Sequence, residues 1–386
     1  MPNEQETRLH GLDHLRAAAI ILVLLFHYHV YYGVPEPILV PGFKALVLFG
    51  WSGVDLFFVL SGYLIGSKLF DDVARTGNTR VWNFYLNRAF RILPAYLVAV
   101  ALYFYFSDLQ EGRALQPLWR FLTFTQNLPI DLFANTFSHA WSLCVEEHFY
   151  LLFPVILYLL FANDLQRRGI YVLLGLIALG VLIRYASWAE YVDELSGRRR
   201  LGAALKYVYY PTYTRLDGLI AGIGIASLSR FRPELWQRVT KYGNSNFVAG
   251  IAVLTGCYFL FDGLILSERF SSLATTLIGF PAIAFGYGLI VVSALSPNSL
   301  LYRFRFKPTA ALASLAYAIY LTHKMTNHWV NTNLALQYDL SDSQTFLACL
   351  AMAILAGVAL HVVVERPFLK LRDRILRAPR QHDSAG

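Results

Sequence analysis

Apolar residues in this chain come in long blocks and do not alternate with polar ones. Ten predominantly hydrophobic stretches recur, at 14–32, 45–66, 92–107, 141–161, 170–188, 212–230, 246–262, 271–295, 308–331 and 345–367. Coiled as α-helix, about twenty such residues span the hydrocarbon core of a bilayer. The pattern predicts an all-α, polytopic membrane bundle of about ten transmembrane helices, occupying 1–370. Residues 371–386 read as a short, basic cytoplasmic tail, expected to be unstructured. The stretch 81–91 differs, mixing Trp82, Phe84, Tyr85 and Phe90 with Arg88 and Arg91. It suits an amphipathic helix at the interface, leading into the third span.

Composition strengthens the membrane reading. Hydrophobic residues make up 56% of the chain and charged ones 15%; a soluble domain carries about 25% charge. Mean hydropathy is +0.45. The net charge of +8 does not indicate nucleic acid here, because basic residues collect in cytoplasmic loops beside anionic lipid. With the N-terminus inside, 22 Lys and Arg residues fall in cytoplasmic segments or at the cytoplasmic ends of spans and 8 in outer segments, with Arg184, Arg215 and Lys324 left within spans. That asymmetry predicts an even number of crossings and two cytoplasmic termini. Ala17 to Phe26 resembles the core of a signal peptide, but no small-residue cleavage site follows, so it reads as a retained first helix. Cys144, Cys257 and Cys349 lie in apolar stretches, with neither a disulfide framework nor metal-binding spacing. No metal, permanently bound cofactor or attached soluble domain is expected.

Ionisable residues at membrane depth are costly, so each is a candidate for function. Counting along the spans puts His27, Glu146, Arg215, Asp217 and His323 at similar levels in the outer half of the bilayer. Arg16 and His27 are eleven residues apart. They fall within about 20° of each other around the first helix and about 16 Å apart along it. One face thus carries a cation at the cytoplasmic surface and an imidazole deep inside, which suits a long donor with an anionic head and a reactive far end. Arg88 and Arg91 are spaced to share a helical face, a fork suited to phosphate. The candidates are His27, Glu146 and Arg215 for chemistry and Arg16, Arg88 and Arg91 for the donor. Asp217, His323, Tyr150 and Trp141 are candidates for the acceptor. A partner for Arg215 is an alternative role for Glu146. His29, His148, His328 and His361 read as structural.

Several of these residues sit in motifs that resemble the acyltransferase-3 family of bacterial membrane acyltransferases. Arg16 and His27 resemble its arginine-to-histidine motif in the first helix, and Gly53–Tyr63 its second-helix signature. Arg88-Ala-Phe-Arg91 resembles its double-arginine motif. Trp141-Ser-Leu-Cys-Val-Glu146 resembles its W-S-L-x-x-E signature. Thr214-Arg215-Leu-Asp217-Gly218, Tyr320-Leu-Thr-His323 and Val-Glu365-Arg-Pro367 complete the set. His14 stands where the family usually has Gly, and His148 where Gln is common.

The resemblance implies ten helices in the bacterial inner (cytoplasmic) membrane. It implies acetyl-CoA or another acyl-CoA as donor and a hydroxyl on a glycan, lipid-linked sugar or small molecule as acceptor. It also implies essential roles for Arg16, His27, Arg88 and Arg91. Membrane lipids are the remaining partner. The alternative is a proton-coupled transporter or flippase, whose relays use the same residue types but leave the paired arginines unexplained. A membrane scaffold would tolerate apolar replacement of the buried charges.

Overall fold

A computed structural model describes residues 9–36, 38–76, 81–134, 136–162, 169–264 and 267–377. It is all-helical, with no strand among the described residues. A helix stands at each of the ten hydrophobic stretches. They are α1 (His10–Tyr32), α2 (Gly53–Thr76), α3 (Val81–Tyr105), α4 (Trp141–Ala162), α5 (Gly169–Tyr191), α6 (Asp217–Phe231), α7 (Gly243–Leu260), α8 (Phe280–Leu295), α9 (Lys307–Trp329) and α10 (Asp342–Leu360); α11 (Arg366–Arg377) follows. Seven helical segments among the described residues are long and apolar enough to cross a membrane, and the chain is a multi-pass membrane protein. The three that fall short do so for identifiable reasons. α6 has only 15 residues, α7 opens on Asn244, Ser245 and Asn246, and α9 carries Lys307, His323 and Lys324.

Two boundaries differ from the sequence pattern. The stretch 81–91 is not a separate interfacial helix but the first part of α3, which continues through Pro94 as one helix of 25 residues. Trp82 remains 71% exposed, as an interfacial residue would. α11 carries helix past residue 370 to Arg377 and packs against α3. The rest of the tail, 378–386, lies outside the described residues, as do Arg8, Arg80, Arg167, Arg168 and Arg380 from the charge pattern.

In lipid no hydrophobic force drives helices together, so close backbone approach matters. α2 crosses α6 most tightly. Gly218 and Gly222 of α6 face Phe58, Val59 and Tyr63 of α2, and a Cβ on Gly222 would strike the Val59 carbonyl and the Tyr63 amide. Both neighbours are backbone and cannot rotate away. Gly222→Leu should therefore abolish recovery of folded, monodisperse protein in detergent, whereas Gly224→Leu, in open space, should be recovered normally. Equal recovery of the two would show that this crossing is not needed.

α1 packs along α2 and α9, and α9 along α10. His14, the departure from the family pattern, ties α1 to the α8–α9 connection. Its Nε2 lies 2.8 Å from the Phe304 carbonyl and its Nδ1 2.6 Å from Thr309 Oγ1. His148 Nδ1 lies 2.8 Å from Thr212 Oγ1, joining α4 to the turn before α6.

Candidate active site

One cavity of about 560 Å³ is enclosed by α1, α2, α3, α4, α9 and the α10–α11 junction. That volume is typical of a pocket for a small organic ligand. Its cations come from four helices: Arg16, Lys68, Arg88, Arg91 and Arg372. Facing them are Glu146 and, from a π-helical turn at His361–Glu365, His361 and Glu365. A π turn re-aims side chains and is common at functional sites. The lining is thus strongly cationic.

The cations are held in different ways. Arg88 lies over the Tyr150 ring, 4.5 Å from its centroid. Arg16 is 3.8 Å from Asp13. Arg91 projects into the cavity with no carboxylate within ion-pair distance among the described residues. Glu146 accepts a 2.6 Å hydrogen bond from the Ser61 hydroxyl.

The cavity stops at Ser142 and Tyr320. The Tyr320 hydroxyl donates to the His139 carbonyl at 2.6 Å, and Ser142 donates to the Tyr320 oxygen at 2.6 Å. Behind this floor are three imidazoles. His27 Nδ1 lies 3.0 Å from His323 Nε2. The His139 ring is 6.0 Å from that of His27 and 4.7 Å from that of His323, centroid to centroid. Among the described residues, no group of three or more His, Cys, Asp or Glu side chains is arranged to hold a metal ion.

Hydrogen bonding assigns the protons of the His27–His323 pair. His323 Nδ1 faces the carbonyls of Tyr320 at 2.8 Å and Ile319 at 3.3 Å. A carbonyl only accepts, so Nδ1 carries the hydrogen. In a neutral ring Nε2 is then an acceptor, and the proton between the rings belongs to His27 Nδ1. His27 Nε2 is left with a lone pair, the form a general base needs. His323 Nε2 thereby accepts from His27 Nδ1, the position that a carboxylate takes on the histidine of a hydrolytic triad.

On the far side of His27 is a space of about 10 Å³, bordered by Tyr31, Tyr32, Glu111, Lys324 and Asn327. It is about the size of one water. Lys324 contacts Glu111 in a buried ion pair, donates to Ser138 Oγ at 3.0 Å, and lies over the Tyr31 ring.

The remaining candidates form a separate cluster. Arg215 binds Asp55 Oδ1 at 2.8 Å and is boxed by the rings of Trp141, Tyr209 and Phe280. Asp217 takes both terminal nitrogens of Arg184, at 2.6 and 3.1 Å. The partner considered for Glu146 is therefore occupied by Asp55. Arg16, Arg88, Arg91, Glu146 and Tyr150 share the cavity, His27 and His323 pair behind its floor, and Trp141, Arg215 and Asp217 pack apart from both. Sequence reasoning gave no site role to His139, Lys68 and Arg372, and named Ser142 and Tyr320 only as members of motifs. His139 falls two residues before the apolar stretch that begins at Trp141, so a search for charges inside spans passed over it.

A cation-lined cavity thus ends one tyrosine ring short of a buried histidine pair, inside a membrane helical bundle. The chain belongs to the acyltransferase-3 family, matching its acyltransferase domain over residues 9–363. It is similar to the O-acetyltransferase OatA of Staphylococcus aureus. The proteins of strains NCTC 8325 and COL are each 28% identical over 84% of this chain and 51% of their own length. The chain thus spans about half the length of these relatives. No solved structure matches it.

Proposed function

We propose that this protein is an O-acyltransferase of the bacterial inner membrane. It moves an acetyl or other short acyl group from acyl-CoA, bound on the cytoplasmic side, to a hydroxyl of a carbohydrate or lipid-linked sugar. In this reading ten helices cross the membrane and both termini are cytoplasmic, following the distribution of basic residues. The observation that carries the proposal is the cation-lined cavity that stops one tyrosine ring short of the His27–His323 pair. Family membership and the O-acetyltransferase name of the relatives support the reaction class.

Arg88 and Arg91, one helical turn apart, grip the donor's diphosphate as bidentate forks. Arg16, Lys68 and Arg372 supply further positive charge. Glu146, held by Ser61, and Tyr150 stand on this donor side of the floor. The pantetheine arm runs towards Tyr320, and the thioester reaches His27 when that ring swings aside. The acceptor enters from the side of Tyr31, Tyr32 and Asn327. His27 Nε2 removes the hydroxyl proton as the oxygen–carbonyl carbon bond forms. The tetrahedral intermediate then collapses with cleavage of the carbon–sulfur bond. The imidazolium returns its proton to the departing thiolate, and the products are an ester and the CoA thiol. No permanent cofactor takes part.

The test is calorimetric titration of coenzyme A into purified protein. The Arg88→Ala/Arg91→Ala double variant should bind about 10- to 100-fold more weakly, the loss of one or two hydrogen bonds to a charged group. Unchanged affinity in that variant, with wild type binding, would remove the donor site from this cavity. No binding in folded wild type would overturn the acyl-CoA reading itself.

A further inference from the structure

We infer that His139 is a further catalytic residue, the neutral hydrogen-bond donor to the thioester carbonyl oxygen. The inference rests on the reading of His27 as the base.

The first observation is an unsatisfied group. His139 is 1% exposed, yet neither ring nitrogen makes a well-formed hydrogen bond, the Leu321 carbonyl beside the ring lying outside good geometry. A neutral imidazole has one N–H and one lone pair, and buried polar groups are almost always paired. An orphan of this kind, retained among aromatic rings where an apolar residue would pack, calls for a ligand.

Position says which ligand. Acyl groups coming from the cavity must pass Tyr320, whose ring is 5.3 Å from that of His139 and 5.8 Å from that of His323. His27, His139 and His323 surround the place beyond it. His27 supplies the base. His323 has both nitrogens committed, to the backbone carbonyls and to His27. His139 alone has a nitrogen to offer. With ring centroids 6.0 Å apart, His27 and His139 can flank one carbonyl. The attacking hydroxyl then lies on the first and the developing oxyanion on the second, each within about 3 Å of its partner. Arg215 does not compete for this role, because it is bound to Asp55 inside its aromatic box.

The step balances. As the acceptor oxygen adds to the carbonyl carbon, the C=O π electrons move to oxygen. The His139 N–H then donates to that oxyanion without transferring its proton. When the carbon–sulfur bond breaks the carbonyl reforms, and His139 ends as it began.

Removing one oxyanion donor costs about 100- to 1000-fold in kcat. His139→Leu should therefore lose that much in acetyl-CoA turnover, with the affinity for coenzyme A within about threefold of wild type. His139→Gln keeps a donor and should recover part of the loss. A structural role would not move the second readout. Acetyl-CoA labelled with ¹³C at the carbonyl is bound to the inactive His27→Ala protein, and its infrared band is recorded. The band should shift to lower frequency on binding, and the shift should vanish in His27→Ala/His139→Leu. Turnover within threefold of wild type in His139→Leu, or the same band with and without His139, overturns the inference while the acyltransferase reading survives. If the Leu variant does not fold, the band in His27→Ala/His139→Phe, which keeps a ring but has no hydrogen to donate, decides by the same criterion. Absence of acetyl-CoA binding by wild type would overturn the acyltransferase reading and this inference with it.

Discussion

His27→Ala should abolish acyl transfer while leaving donor binding intact. A positioned general base contributes about 100- to 10,000-fold, and here the same ring must also protonate the leaving thiolate, so kcat should fall at least ~1000-fold. Affinity for coenzyme A should stay within about threefold, because His27 does not line the cation-lined cavity. His323 acts through His27. His323→Ala removes the acceptor that holds the His27 hydrogen on Nδ1, and should cost about 10- to 100-fold, less than the full 100- to 10,000-fold of a positioned base, because His27 itself remains. His323→Asn and His323→Gln offer an amide oxygen to the same hydrogen and should retain more activity than His323→Ala. In His27→Ala/His323→Ala the losses should not add, since the two rings work as one unit. The measurement is radiolabelled acetyl-CoA turnover in detergent, with folding checked by gel filtration and coenzyme A titration. More than a tenth of wild-type turnover in folded His27→Ala protein would remove His27 from the base role.

The sequence showed some of this site and hid the rest, for physical reasons. Charge in an apolar stretch is conspicuous, so His27, Glu146, Arg215, Asp217 and His323 stood out. Helical periodicity joined Arg16 to His27, and spacing joined Arg88 to Arg91. Depth, however, is only one coordinate. His27, Arg215 and Asp217 were placed at similar depth, yet in the fold Arg215 and Asp217 pair with Asp55 and Arg184. Which of several buried cations is paired and which faces a cavity depends on helix rotation and neighbours, and no count along one helix contains that. His139 and Glu111 were invisible for another reason. They come from segments outside the hydrophobic stretches and fold back among the helices, where Glu111 meets Lys324. The helices themselves were legible, because blocks of twenty apolar residues admit few alternatives in a bilayer. Pro94 and the boundary at 370 were less so. α3 tolerates its proline, and α11 is amphipathic and basic, a composition shared by surface helices and unstructured tails.

Arg215 separates a catalytic from a structural use of a buried charge. A candidate for the chemistry on its depth in the bilayer, it is 1% exposed in the fold and bound to Asp55, itself 4% exposed. Removing one member of a buried pair strands the other in a low-dielectric interior, at a cost of about 3–5 kcal/mol. Arg215→Met alone, or Asp55→Leu alone, should therefore lower the midpoint of thermal unfolding in detergent sharply and reduce the yield of folded protein. Replacing both charges with apolar side chains of similar volume is often neutral. Arg215→Met/Asp55→Leu should accordingly regain much of the lost stability, and with it acetyl-CoA turnover, since the histidine cluster is built from α1, α9 and the turn before α4. An oxyanion role makes the opposite prediction, because a methionine thioether has no hydrogen to donate. In that case the double variant would fold and bind coenzyme A, yet turn over about 100- to 1000-fold more slowly than wild type. Thermal unfolding and turnover measured on the same four proteins distinguish the two. Recovery of both assigns the pair to holding α2 against α6, and recovery of stability alone returns Arg215 to the chemistry.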